Sequence, residues 1–214
     1  KRESSNAFRQ SNADDKRVAG VCKMDLQKIG MKFFAEEGNT VKLVEFIPIF
    51  HRWIQNKALD DLLIDVADYS HVHAGPGILL IAHEGNYSID ETGNRRGFVY
   101  YNKHALGGEL PERLTVVCRK ALKACQLLNE EKEIQGRIKF SGSTMQVFAN
   151  DRLIAPNSDE TYKSLESVLK KFLNGLFSGT DYTLERETDS KERFLVTVKI
   201  AKPVAIDTLI DHLE

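Results

Sequence analysis

The chain has few of the residues that mark specialised classes of protein. Only three of its 214 residues are cysteines, and Cys22, Cys118 and Cys125 lack the spacing of a metal site or a disulfide framework. No apolar run approaches the roughly 20 residues that cross a bilayer. Lys and Arg number 30 against 31 Asp and Glu, so no charge excess indicates nucleic acid or an anionic membrane. These shortages predict a cytoplasmic protein without a membrane segment.

Catalytic signatures are also scarce. The sequence contains no phosphate-binding loop, no glycine-rich dinucleotide fingerprint and no nucleophile elbow. Ser70 and Ser88 lie near histidines in the sequence, but neither stands in such a motif. Covalent catalysis therefore has little support.

What is present is ordinary globular patterning, with 42% hydrophobic and 29% charged residues. Apolar stripes at helical spacing predict helices over residues 47–57, 110–131, 159–177 and 205–213. Short apolar or alternating runs predict strands over 32–35, 62–72, 78–81, 97–101, 137–140, 145–149, 182–187 and 194–200. We expect an α+β fold, an antiparallel sheet of hairpins with amphipathic helices packed on it. A helix followed by a hairpin occurs in each half, which favours a pseudo-duplicated arrangement.

The predicted organisation has three parts. Residues 1–30 form an N-terminal arm, whose first 13 residues are partly tag-like and whose residues 14–30 carry a helical stripe ending at Gly30. Residues 31–135 form a first α+β lobe with the candidate site, and residues 136–214 form a second. No sequence identity relates the two lobes.

Four of the six histidines fall between residues 46 and 90, the segment that also holds the only tryptophan. If the hairpin of strands 62–72 and 78–81 turns at Gly75, His71 and His83 approach each other, because alternation puts them on one face. Histidine and carboxylate are common metal ligands and acid–base groups. The alternative is a set of ordinary hydrogen-bonded histidines. The candidate metal ligands for a divalent ion are His71, His73 and His83, and the candidate catalytic residues are Asp65, Tyr69, His71, His83 and Glu84.

A second group consists of His51, Arg52 and Trp53, which together with His73 are candidate ligand-binding residues. Arg52 is suited to a carboxylate or phosphate. The alternative is that the aromatic residues are core and that the polar ones lie on an exposed helix face.

A third feature is a locally basic segment over residues 95–123. It holds seven basic residues against two acidic ones, beside Tyr100 and Tyr101. Half of the charges lie on the polar face of a predicted helix, where a solvated surface is the usual explanation. Nucleic-acid binding is therefore not expected.

The function that these patterns favour is a ligand-binding or protein-interaction module, with a pocket around residues 46–90 for a small molecule or a protein partner. The alternative is a metal-assisted or acid–base enzyme that uses the hairpin of His71, His73 and His83. A further alternative is a structural oligomer joined through strand edges.

Overall fold

The computed structural model describes residues 24–214, which form eight strands and four α-helices. The strands are β1 (Ile29–Ala35), β2 (Leu63–Tyr69), β3 (Gly77–Ala82), β4 (Gly85–Asp90), β5 (Gly97–Asn102), β6 (Phe140–Ala149), β7 (Tyr182–Arg186) and β8 (Leu195–Ile200). The helices are α1 (Phe46–Asn56), α2 (Leu110–Glu130), α3 (Asp159–Phe177) and α4 (Ile206–Asp211). All strands join one antiparallel sheet in the order β2-β3-β4-β5-β1-β6-β8-β7.

The helices form where the sequence combines an apolar stripe with suitable ends. In α1, Phe46, Ile49, Phe50 and Trp53 recur at helical spacing and are all buried. Pro48 stands in the first turn of α1, where no backbone donor is needed. Helix α3 begins after Ser158, whose side chain accepts a hydrogen bond from the Thr161 N–H at 3.2 Å. The predicted bounds of these helices are therefore confirmed to within a residue.

The two faces of the sheet have different roles. Residues of one parity, such as Met31, Phe98 and Val147, belong to the hydrophobic core that the helices cover. Residues of the other parity, such as Lys32 and Phe148, face away from the helices. We call this second surface the open face. The predicted α+β fold with helices packed on an antiparallel sheet is confirmed.

Each edge of the sheet is made by a helix followed by a hairpin. Helix α1 leads into β2 and β3, and α3 leads into β7 and β8, with the first strand of each hairpin at the sheet edge. The pairing of Tyr69 with Gly77 and of Arg186 with Val196 puts the two hairpin loops at opposite ends of the sheet. This is the helix-plus-hairpin arrangement that the sequence predicts. Both predicted lobes contribute to one sheet, because β1 pairs with β5 and with β6; the division into lobes stays a prediction.

Three local predictions need correction. The arm helix over residues 14–30 lies mostly outside the described residues, and where it enters them Ile29 and Gly30 already belong to β1. The predicted strand over 145–149 is the end of a longer strand, β6, which begins at Phe140, so residues 137–139 of the other predicted strand lie in the connection before it. Strand β4 was missed, although Tyr87 and Ile89 alternate with polar residues there. Its outward-facing side chains are Asn86, Ser88 and Asp90, which made the segment resemble a loop.

Candidate functional site

A cavity of about 930 Å³ lies on the open face of the sheet. Its floor is formed by the outward side chains of the central strands, and the loops of both edge hairpins contribute to its wall. The β2–β3 loop contributes Ala74, Gly75 and Pro76. The β7–β8 loop contributes Glu187, Thr188, Glu192 and Arg193. Two distant hairpins therefore border one half-open cavity.

Lys32 lies on the floor of this cavity, in the centre of the sheet. Its side chain is 3% exposed and forms an ion pair with Asp90 at the end of β4. The Lys32 ammonium also donates to the Arg95 carbonyl oxygen at 3.0 Å. Its alkyl chain crosses Gly97, where a Cβ atom would stand 2.3 Å from the lysine Cε. Burial lowers the pKa of Lys32, while Asp90 opposes this shift.

Phe148 and Arg193 form a stacked pair on the same floor. The Phe148 ring is 1% exposed and lies against the backbone of β1, because Gly30 has no side chain; a Cβ there would be 2.1 Å from the ring. The guanidinium carbon of Arg193 is 3.6 Å from the centre of the Phe148 ring. Arg193 Nη1 donates to Asn150 Oδ1 at 3.1 Å. Burial also lowers the pKa of Arg193.

Uncharged polar groups complete the floor. Ser88 is buried beside Val99, and the Gln146 amide donates to the Thr197 hydroxyl at 3.2 Å. The Tyr101 hydroxyl accepts a hydrogen bond from Asn86 Nδ2 at 2.7 Å. These hydroxyls and amides can orient a ligand through directional hydrogen bonds.

The β2–β3 loop lines the cavity in a strained conformation. Ala74 has φ of 55°, in the left-handed region that favours glycine. Gly77, with φ of 65°, leaves the loop so close to β4 that a Cβ would stand 2.0 Å from the Ile89 carbonyl oxygen. The loop is therefore held at its place beside the floor by a residue that must be glycine.

The predicted meeting of His71 and His83 is wrong. His71 lies in the β2–β3 loop, whereas His83 follows β3 at the other end of the hairpin, where its N–H donates to the Leu62 carbonyl oxygen at 2.9 Å. Ala67 pairs with Leu79 and not with His83, because the turn is centred before Gly75.

The other members of the predicted histidine cluster are also dispersed. His73 is exposed in the β2–β3 loop with His71. Asp65 and Tyr69 share the open face of β2, as their parity predicts. They pair with Ile81 and Gly77 of β3, whereas His83 lies beyond the end of β3. Glu84 contacts His83 at 3.5 Å, and the His83 ring lies 5.1 Å from that of His104. Within residues 24–214, no three His, Cys, Asp or Glu side chains are grouped so that they could hold a metal ion.

His51, Arg52 and Trp53 lie on α1, across the sheet from the cavity. Arg52 pairs with Glu131 at 2.7 Å and with Glu133 at 2.8 Å. The Trp53 indole N–H donates to Glu131 at 2.7 Å, and Trp53 is buried. His51 is exposed. These contacts join α1 to the end of α2, in agreement with the alternative that the aromatic residue is core and the polar ones lie on a helix surface. A ligand-binding role for the three residues stays a prediction.

The basic segment does not form one cationic surface. Each of its seven basic side chains contacts a carboxylate, a carbonyl oxygen or an aromatic ring of this chain. The seven are Arg95, Arg96, Lys103, Arg113, Arg119, Lys120 and Lys123. This internal pairing supports the expectation that nucleic acid is not a partner, which stays a prediction.

The free edge of β2 carries its own obstacle to strand addition. The Val66 N–H donates to the Asp65 carboxylate at 2.8 Å, and the Ser70 N–H donates to the Asp68 carboxylate at 2.8 Å. Two aspartates along an edge strand disfavour its pairing with a second strand. The strand-edge oligomer stays a prediction, and this edge does not favour it.

The sequence did not single out Lys32, Phe148 or Arg193. The available signal was Lys32, the one charged residue in the apolar run Ile29–Ala35. A lysine in a strand that is buried on both faces needs a partner. Nothing in the sequence linked it to Arg193, which comes from a loop that is distant in the chain.

Fold and cavity define a class only: an α+β protein with helices on one face of its sheet and a cavity on the other. No protein-family profile, curated protein or solved structure matches this chain. No helix in the described part of the chain is both long and apolar enough to span a bilayer.

Proposed function

We propose that this protein is a binding module for a small molecule, and that the ligand occupies the cavity on the open face of the sheet. The observation that carries this proposal is the cavity itself, of about 930 Å³ between the two hairpin loops. Pockets for small ligands generally measure roughly 300–1,000 Å³. The proposed pocket therefore differs from the one expected around residues 46–90, because residues of that segment form only part of it. That segment contributes the β2–β3 loop, Ser88 and Asp90, while most of the other lining residues come from β1, β5, β6 and the β7–β8 hairpin.

The lining combines apolar, polar and charged groups. Val99, Phe148 and Leu195 are its larger apolar residues, and Ser88, Gln146 and Thr197 give it uncharged polar groups that can orient a ligand. The charged residues of the lining are Lys32, Asp90, Glu185, Arg186, Glu187, Glu192 and Arg193. The strained Ala74 in the β2–β3 loop is a further supporting feature, because backbone strain is concentrated at functional sites. The described residues that line the cavity include no histidine, so this cavity gives no support to the alternative of an enzyme that uses His71, His73 and His83.

The proposal is tested with phenylnaphthylamine, a neutral dye whose fluorescence rises in apolar surroundings. We expect saturable binding with one dye per chain. Replacing Thr197, which lines the cavity, by Trp should fill part of the space and weaken binding roughly ten-fold or more. Thr183→Trp is the matched control, because Thr183 lies on the same face of the neighbouring strand, is exposed and does not line the cavity.

Two results would overturn the proposal. One is the absence of saturable binding by the parent protein. The other is an equal loss of affinity in Thr197→Trp and Thr183→Trp, which would place the dye somewhere other than the cavity. Far-ultraviolet circular dichroism of both variants shows whether the fold is retained.

A further inference from the structure

We infer that the ligand of this cavity carries an anionic group, a carboxylate, phosphate or sulfonate, and that Arg193 receives that group on the floor, beside the positive charge of Lys32. This inference rests on the proposed function, since it names the chemical class of the ligand for the same cavity.

The first argument is the balance of charge on the floor. Lys32 is buried and Arg193 is partly buried, both line the cavity, and Arg193 lies close enough to Lys32 to lower the pKa of the lysine. Asp90 is the carboxylate that faces Lys32 and Arg193 from the floor. Two cations therefore share one buried carboxylate on the floor. Since unbalanced buried charge is costly, a ligand anion that supplied the missing charge would be stabilised there.

The second argument is the way in which Arg193 is presented. Its guanidinium carbon lies 3.6 Å from the centre of the Phe148 ring, a contact that leaves the N–H groups available for hydrogen bonds. Its one side-chain hydrogen bond within the described residues is the Nη1 contact with Asn150. Arginine has five N–H donors in a planar fork that matches a carboxylate or a phosphate. The stacking on Phe148 fixes this fork at the cavity wall before any ligand arrives.

The third argument concerns the acidic residues of the β7–β8 hairpin, which would oppose an anion. Glu185 is exposed and is paired with Lys199 at 2.7 Å. Glu187 accepts a hydrogen bond from the Asp189 N–H at 3.0 Å, and Glu192 is exposed. Water screens charges at such a rim more strongly than charges on a buried floor. The cations on the floor therefore have the larger effect on a ligand inside the cavity.

The test compares two dyes that differ by one anionic group, phenylnaphthylamine and anilinonaphthalene sulfonate. We expect the parent protein at low salt to bind the sulfonate more tightly than the neutral dye. Added sodium chloride should weaken binding of the sulfonate more than binding of the neutral dye. Arg193→Gln should reduce affinity for the sulfonate roughly ten-fold or more and leave the neutral dye within about two-fold. Arg193→Lys, which keeps the charge, should recover part of the loss.

The matched control is Lys191→Gln, which removes one exposed charge from the same hairpin outside the cavity. It should change neither affinity by more than about two-fold. If Arg193→Gln weakens both dyes equally, Arg193 only supports Phe148 and the inference is wrong. If the neutral dye binds and Thr197→Trp blocks it, but the parent binds the sulfonate no more tightly, the inference fails while the proposed function stands. If Thr197→Trp changes the affinity for neither dye, the inference and the proposed function both fail.

Discussion

Asp61 is a buried carboxylate in the segment before β2. Its carboxylate is 1% exposed and forms an ion pair with Lys120 of α2. It also accepts a hydrogen bond from the Tyr87 hydroxyl at 2.8 Å. Tyr87 is itself 1% exposed. Asp61 therefore joins the segment before β2 to the sheet and to α2 through two buried polar contacts.

The expected cost of removing this carboxylate follows from what it would leave behind. Asp61→Ala leaves Lys120, which is 24% exposed, without its buried counter-charge, and it leaves the buried Tyr87 hydroxyl without an acceptor. Breaking one side of a buried ion pair costs about 3–5 kcal/mol. Asp61→Asn keeps an acceptor for Tyr87, so its cost should be smaller by about the 1–3 kcal/mol of one unsatisfied buried group. The sharper part of the prediction is that Asp61→Ala lowers the free energy of unfolding more than Asp61→Asn does.

Urea unfolding followed by the fluorescence of Trp53 measures these costs. Trp53 is the single tryptophan and is 2% exposed, so its emission reports the loss of the core. The matched control is Asp60→Ala, because the neighbouring Asp60 side chain is 85% exposed and its pairing with Lys123 at 3.6 Å is solvated. We expect the control to stay within about 0.5 kcal/mol of the parent. If Asp61→Ala lowers the free energy of unfolding no more than Asp60→Ala does, the reasoning is refuted.

Three further outcomes are expected. Leu169→Ala should lower the free energy of unfolding by about 2–5 kcal/mol, because Leu169 is 4% exposed; a urea midpoint close to the parent's would mean that α3 does not pack as described. Gly30→Ala should displace the Phe148 ring, which a Cβ would approach to 2.1 Å, and should weaken dye binding as well as stability; unchanged dye affinity would contradict the described floor. Hydrogen bonds from Arg137 lower the pKa of Glu45 to about 2 from 4.5, so this carboxylate contributes stability above pH 4.5 that is lost as the pH falls toward 2. Arg137→Gln should therefore flatten the decline of the urea midpoint between these pH values, and parallel curves for parent and variant would contradict the assignment.

The candidate site was less predictable than the fold. The sequence drew attention to histidines, because His is the side chain whose ordinary chemistry suits metal and proton transfer. The register of the hairpin decides whether His71 and His83 meet, and the observed pairing of Tyr69 with Gly77 leaves His71 in the turn and His83 beyond the far end of β3. The cavity lies instead over Lys32 and Phe148, and the sequences of their strands gave no indication of a functional site.

The sequence by itself determined the elements with strong local periodicity. Helices α2 and α3 carry uninterrupted apolar stripes with suitable ends, so their bounds and buried faces could be read directly. The alternation in β7 and β8 likewise predicted a hairpin. These signals are local, since each depends only on residues within a few positions of one another.

Only the tertiary structure decided which strands became neighbours and what the open face carries. Pairing of β1 with β6 brings Phe148 onto Gly30, and the return of β8 brings Arg193 onto the Phe148 ring. The ion pair of Lys32 with Asp90 likewise joins two strands with no local relation in sequence. Alternation along a strand predicts that residues share a face, but it does not say which strand lies beside it. The cavity therefore arises from long-range pairing, and that is the information a local pattern does not contain.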